Sequence, residues 1–208
     1  MIKELKMDSR TIAELVLHLG RIASAEALVE GLTPVQWAGL RYFGRANRFS
    51  RTPSAFAAFH GTTRGTASQT IKNLEALEYL ARRRSETDRR SVHLVLTEKA
   101  RAILEKDLFE TLVRAADTLP LGVRGQFGNA LQRVLGHVAL ERGIPTFGNC
   151  ASCTHLEGDD CSRERQEPYA CGFSNEPLLL EELDGICINF VQGKPMTEKG
   201  SLSGTVPR

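Results

Sequence analysis

The chain has 208 residues, is 41% hydrophobic and 25% charged, and carries a formal net charge of +2, a composition that excludes disorder of the whole and fits a soluble globular protein. No apolar run approaches the roughly 20 residues that cross a bilayer, and MIKELKMDSR lacks the apolar core and cleavage site of a signal peptide, so a cytoplasmic location without membrane contact is expected. The small net charge hides a split. Residues 32–101 hold eleven Arg and two Lys against four Glu and one Asp, a net +8, whereas residues 150–190 hold two Arg against six Glu and three Asp, a net −7. The first segment suits a polyanion and the second would be repelled by one.

From about Asp8 to Glu30, Ile12, Leu15, Val16, Leu19, Ile22 and Ala23 recur at three- and four-residue steps, which predicts an amphipathic helix in need of a partner surface. Thr33-Pro34 opens a second helix that carries Trp37, Leu40 and Phe43 inward, with Trp37 and Phe43 read as core rather than a ligand cage. Thr52-Pro53 opens a short third, closed at Gly61. A fourth runs from Thr62-Thr63 to about Glu78 with Ala67, Ile71, Leu74 and Leu77 on its apolar stripe. Between Tyr79 and Leu96 the period becomes two, with five arginines around the turn ETDRR, which predicts a β-hairpin with a basic tip.

Two long helices are expected next, Glu98 to about Leu119 and about Gly122 to Glu141, parted by Pro120-Leu121-Gly122. With the first helix they suggest a helical layer that makes a homodimer. The segment GIPTFGN marks a boundary, and residues 191–208 read as a disordered tail. The expected organisation is therefore a dimerisation helix (1–31), a head (32–101), dimerisation helices (102–143), a cysteine-rich segment (144–190) and the tail. The fold class is mainly α with a small β hairpin.

On the fourth helix, Arg64, Thr66, Ser68, Gln69, Lys72 and Asn73 fall on the polar face. Arg can pair with guanine, Gln and Asn with adenine, and hydroxyls with phosphates, in a major groove that admits one helix. Arg82, Arg83, Arg84, Arg89 and Arg90 of the hairpin would straddle backbone phosphates, with one of them reaching the minor groove. The bland reading of both features is a solvated polar surface. No glycine-rich phosphate loop, Ser-His-Asp arrangement or H-E-x-x-H helix is present, so an enzyme is not expected. His18, His60 and His137 read as structural. A winged helix that binds protein instead of DNA stays open.

The stretches TRGTASQTIKNLEALEYLARR and SETDRRSVHLVLTEKAR resemble the recognition helix, wing and following helix of the MarR family of regulators, a likeness that covers roughly Asp8 to Glu141. It implies a homodimeric winged helix-turn-helix protein, usually a repressor, on a pseudo-palindromic double-stranded operator whose half-sites lie about one DNA turn apart. It places the base-reading helix on Arg64 to Glu75 and the wing contacts on Arg84 to Arg90. It also implies a small-molecule pocket whose residues are not placed.

All five cysteines lie in the last third, spaced C-x2-C-x7-C-x9-C-x15-C: Cys150, Cys153, Cys161, Cys171 and Cys187. A C-x2-C pair is a good local chelate, but the second C-x2-C of a zinc ribbon is absent. With Cys161 set aside, the spacing is similar to that of high-potential iron-sulfur proteins, and the segment resembles a cysteine-rich extension of some MarR-like regulators. That resemblance implies a 4Fe-4S cluster on Cys150, Cys153, Cys171 and Cys187, with Cys161 as a fifth thiol or a substitute for Cys171. Zinc, with His155 as a further candidate ligand, and redox thiols or a disulfide remain alternatives. The group would sense redox state, oxygen or iron, and the segment is expected to abut the dimerisation helices.

Overall fold

The structure, a computed structural model, describes residues 7–24, 31–84, 92–107, 109–158 and 169–193. Helix α1 spans Ser9–Ser24, with the Asp8 carboxylate accepting from the Thr11 amide at 2.7 Å. Helices α2 (Pro34–Arg45), α3 (Pro53–Phe59) and α4 (Arg64–Ala76) follow. Strands β1 (Leu80–Arg84) and β2 (Val92–Leu96) pair antiparallel, Leu80 opposite Leu96 and Arg84 opposite Val92. Helices α5 (Glu98–Leu104), α6 (Phe109–Asp117) and α7 (Leu121–Arg142) complete the helical part.

Threonine starts four of these helices. The hydroxyls of Thr33, Thr52, Thr63 and Thr97 each accept an amide of the first turn, which satisfies a donor the helix cannot. Pro34 and Pro53 stand where no amide donor is needed. Gly143 closes α7 with φ of 61°, a left-handed conformation that glycine adopts without strain.

The core of the head gathers Trp37, Leu40, Tyr42 and Phe43 from α2, Phe56 from α3, Ile71 and Leu74 from α4, Leu94 from β2, and Ala100 and Ile103 from α5. The expected inward residues Trp37, Leu40 and Phe43 are all buried. Leu77 is not on the buried stripe: α4 ends at Ala76, the chain turns through Glu78 at φ 61°, and Leu77 is left exposed.

The single helix expected over residues 98–119 is two, α5 and α6. Asp107 breaks it: its carboxylate accepts from Arg41 Nε at 2.6 Å and Nη2 at 2.5 Å, and from the Phe109 amide at 2.8 Å. Arg41 also donates to the Ala23 carbonyl at 3.2 Å, so one guanidinium joins α1, α2 and the α5–α6 turn. Outside the head, Ile12, Leu15, Val16, Leu19 and Ile22 of α1 are 41–60% exposed, and Val123, Phe127, Leu131, Val134 and Val138 of α7 lie similarly open.

The last third forms a small antiparallel sheet of β3 (Leu156–Glu157), β4 (Tyr169–Cys171) and β5 (Glu176–Leu178), with β4 central. Residues 191–193, expected as part of the tail, belong to this unit. The Thr154 amide donates to the Val191 carbonyl at 2.9 Å, and Cys153 bridges Gln192. Arg89, Arg90, the hairpin turn, Cys161 and the tail from residue 194 lie outside the described residues.

The cysteine unit was expected to abut the dimerisation helices. It reaches the end of α7 through Gln192 beside Gly136, but its principal seat is the head. Ile186 and Ile188 pack against the head's core, Phe147 meets Phe59 at 4.4 Å between ring centroids, and Arg48 binds Glu176 and Glu182. No helix among the described residues is long and apolar enough to cross a membrane.

Candidate DNA-reading face and cysteine centre

Helix α4 buries Ala67, Thr70, Ile71 and Leu74 and turns Arg64, Thr66, Gln69, Lys72 and Asn73 to the exterior, with Ser68 half-buried. Thr66 is partly committed to the helix start, its hydroxyl 2.9 Å from that of Thr63, and Gln69 Nε2 donates to Asn73 Oδ1 at 2.9 Å. Such a Gln–Asn pair keeps two amide groups side by side on one exposed face. The strand β1 borders this helix: Arg82 donates to Glu75 Oε1 at 2.7 Å and to Oε2 at 3.2 Å, a pair that holds its guanidinium more firmly protonated. Arg83 and Arg84 beyond it are exposed.

The head's positive charge is not all available to a polyanion. Arg41 is committed to Asp107, Arg82 to Glu75, and Arg48 to Glu176, Glu182 and the Pro177 carbonyl. Arg45 donates to the Asp184 carbonyl at 3.1 Å and Arg51 to the Ala46 carbonyl at 2.9 Å. The acidic segment therefore does more than stay off a polyanion. Two of its glutamates neutralise an arginine of the head.

Four cysteines line one narrow, partly open pocket of about 20 Å³, together with Asn47, Phe49, His155, Leu156, Phe173 and Leu178. Three pieces of local structure deliver them. Cys150 starts a 3-10 turn capped by Asn149, whose Oδ1 accepts from the Ser152 amide at 3.2 Å, and the Cys153 amide closes back on the Cys150 carbonyl at 3.0 Å. Cys171 ends β4, opposite Leu156 on one side and Glu176 on the other. Cys187 exchanges backbone hydrogen bonds with Gly148 at 2.8 and 3.4 Å. A Cβ at Gly148 would lie 2.7 Å from the Phe190 ring, so only glycine lets that ring close the strand pair.

All four are free thiols, with Cys150 and Cys187 buried and Cys153 and Cys171 half-buried. Burial pushes the Cys150 thiol up to about 11, and its three cysteine neighbours add to the rise, while the hydrogen bond from Asn47 opposes it. The Cys150 thiol is poorly placed to ionise alone and well placed to do so beside a cation. Among the described residues no three His, Cys, Asp or Glu side chains converge as the ligands of a single ion.

Sequence reasoning placed these four cysteines together but missed Asn47, which is 2% exposed and donates from Nδ2 to Cys150 Sγ at 3.9 Å. Nothing local distinguishes it, because its partner lies 103 residues away. His60, read as structural, packs against Tyr42, Phe56 and Phe59, and burial lowers its pKa.

The model of the MarR family matches residues 30–91. Among solved structures, the S. aureus MepR–DNA complex aligns with a TM-score of 0.50 at 17% identity, covering 65% of this chain and 99% of that one. This likeness shows the winged-helix fold. Streptococcus pneumoniae FabT in complex with DNA is 27% identical over 62% of this chain and 91% of its own, with a TM-score of 0.44. A MarR transcriptional regulator from Methanosarcina mazei Go1 is 22% identical over 65% of this chain and 97% of its own, with a TM-score of 0.46. More than a third of the present chain is left uncovered by each of these alignments. No curated protein matches significantly.

Proposed function

We infer that this MarR-type winged-helix chain is a transcription regulator that reads double-stranded DNA as a homodimer and carries a 4Fe-4S cluster on Cys150, Cys153, Cys171 and Cys187. The observation that carries the DNA reading is the exposed face of α4, where Arg64, Gln69, Lys72 and Asn73 stand beside the exposed Arg83 and Arg84 of β1. A helix of this kind offers bidentate partners for guanine and adenine, and the strand offers phosphate contacts that fix register. MepR, with the same fold, is seen bound to DNA. The open apolar faces of α1 and α7 supply the surface for a second copy, which would set two reading heads on the half-sites of a pseudo-palindromic operator. The action proposed for such a dimer is repression, by covering the operator.

Four cysteines lining one pocket support the cluster reading. A zinc ribbon would close with a second C-x2-C pair, which is absent here, whereas one C-x2-C pair followed by singly spaced cysteines suits a cube. When bound, the cluster supplies a redox-active, oxygen-sensitive centre. The chain's own part is to hold four thiolates, to shield them with Phe49, Leu156 and Leu178, and to relay the state of the centre to the head, so that oxygen, redox state or iron supply alters DNA binding.

The DNA reading is tested with a duplex selected from a random pool by the wild-type protein. Gln69→Ala or Arg64→Ala is expected to relax base preference by about 1–3 kcal/mol per position. Arg84→Ala is expected to weaken all sequences alike and flatten the salt slope by about one unit. Unchanged preference in both helix variants would move the reading face elsewhere.

A further inference from the structure

We propose that the corner joining α2 to α3, residues 46–52, is the receiver through which the cysteine centre sets the DNA-reading head, with Asn47 as the positioning residue between them. The proposal rests on the reading of the four cysteines as a sensing centre. Its geometry is independent of which group they hold.

Cys187 sits between two residues that are bonded to this corner. The Ile186 amide donates to the Arg45 carbonyl at 2.7 Å, the Asn47 amide donates to the Ile186 carbonyl at 3.0 Å, and the Ile188 amide donates to Ser50 Oγ at 3.0 Å. A second ligand touches the same corner, since Asn47 Nδ2 donates to Cys150 Sγ. Arg48 adds ion pairs to Glu182 at 2.9 Å and Glu176 at 3.3 Å, on either side of the turn that follows β5.

The buried polar groups of the corner are explained by this docking. Asn47 and Ser50 are 2% and 0% exposed, and a buried hydroxyl or amide is costly without partners. Asn47 Oδ1 is used within the corner, accepting from the Ser50 amide at 3.1 Å, but its Nδ2 and the Ser50 hydroxyl find partners in the cysteine unit. Displacing residues 186–188 strips the Ser50 hydroxyl of its partner, and displacing Cys150 strips Asn47 Nδ2 of its own.

From the corner two routes lead to the reading surface. Thr52 caps α3, which runs through the left-handed Gly61 into α4. The Arg51 carbonyl accepts from the Leu94 amide at 2.8 Å, which fastens the corner to wing strand β2. Holding Cys150 and Cys187 on one rigid group therefore holds recognition helix and wing in one register, and releasing them frees both. This route runs through the head itself and needs no re-spacing of the dimer.

The experiment compares affinity for the selected duplex with and without the bound group, in wild type, Asn47→Asp and Arg48→Gln. Asn47→Asp keeps the acceptor for the Ser50 amide and replaces the donor to sulfur with a negative charge. Arg48→Gln cuts the outer ion pairs and leaves the buried residues in place, so it serves if Asn47→Asp fails to fold. Both variants are expected to load the centre, and the loaded-to-unloaded affinity ratio is expected to fall at least fivefold toward one. Asn47→Asp is also expected to lower the midpoint potential of the centre, which a merely structural residue would not do. A wild-type ratio that persists in the folded variants overturns the coupling alone. A wild-type ratio of one overturns both the coupling and the sensor reading.

Discussion

Replacing Asp107 by Ala is expected to loosen the joint between the head and the long helices. The Asp107 side chain is 4% exposed and that of Arg41 20%, and two short hydrogen bonds join them. Removing one partner of a fully buried pair costs about 3–5 kcal/mol. Here the guanidinium keeps the Ala23 carbonyl, lies 5.9 Å from the Trp37 ring and 5.3 Å from the Phe109 ring, and is one-fifth open to water. The residual loss is accordingly about 2–3 kcal/mol for the pair, and the lost cap on the Phe109 amide adds about 1 kcal/mol. At roughly 2–4 °C per kcal/mol for a chain of this size, Tm should fall by about 10 °C. Thermal melts and urea titrations of Asp107→Ala, Arg41→Met and the double variant measure it. A loss below about 1 kcal/mol, or additive single losses, would refute the coupling of these two side chains.

Leu15→Glu on α1 or Val134→Glu on α7 should convert the proposed dimer to a monomer in light scattering and lower affinity for the selected duplex at least tenfold; a variant that stays dimeric would place the interface elsewhere. In protein freed of any bound group, the Cys150 thiol should alkylate about a hundredfold more slowly at pH 8 than an ordinary cysteine. The sign follows from a pKa raised from 9.0 to about 11, which leaves less thiolate at every pH below that range and recovers reactivity only as pH rises through it. Mass spectrometry of the labelled peptides reads the rate, and a rate equal to that of an exposed cysteine would contradict the burial.

What was legible in the sequence was local. Thr33-Pro34 and Thr52-Pro53 announce helix starts because cap and proline act within one turn, and the polar face of α4 follows from its own periodicity. The set Cys150, Cys153, Cys171 and Cys187 was implied by a resemblance, and these four line one pocket. The break at Asp107 was not, because it is made by Arg41, 66 residues earlier. Leu77 looked like a continuation of its stripe because the chain leaves α4 through Glu78 in a left-handed conformation without the glycine that usually marks one. The charge split was misread in a more instructive way. Arg45, Arg48 and Arg51 counted toward a surface for DNA, yet Arg45 and Arg48 meet the acidic unit 129–139 residues away and Arg51 turns back on its own corner. Strands of two and three residues, such as β3 and β4, are too short for any periodicity to show.

The most direct measurement is made on protein purified without oxygen: iron, inorganic sulfide and zinc content, the absorption spectrum, and affinity for the selected duplex before and after the bound group is removed. Iron and sulfide in equal amounts, lost together when Cys150 or Cys187 is replaced by Ser, and a changed affinity on removal are expected. Colourless protein that contains zinc and no iron, or an affinity indifferent to removal, would contradict a cluster that governs the reading of DNA.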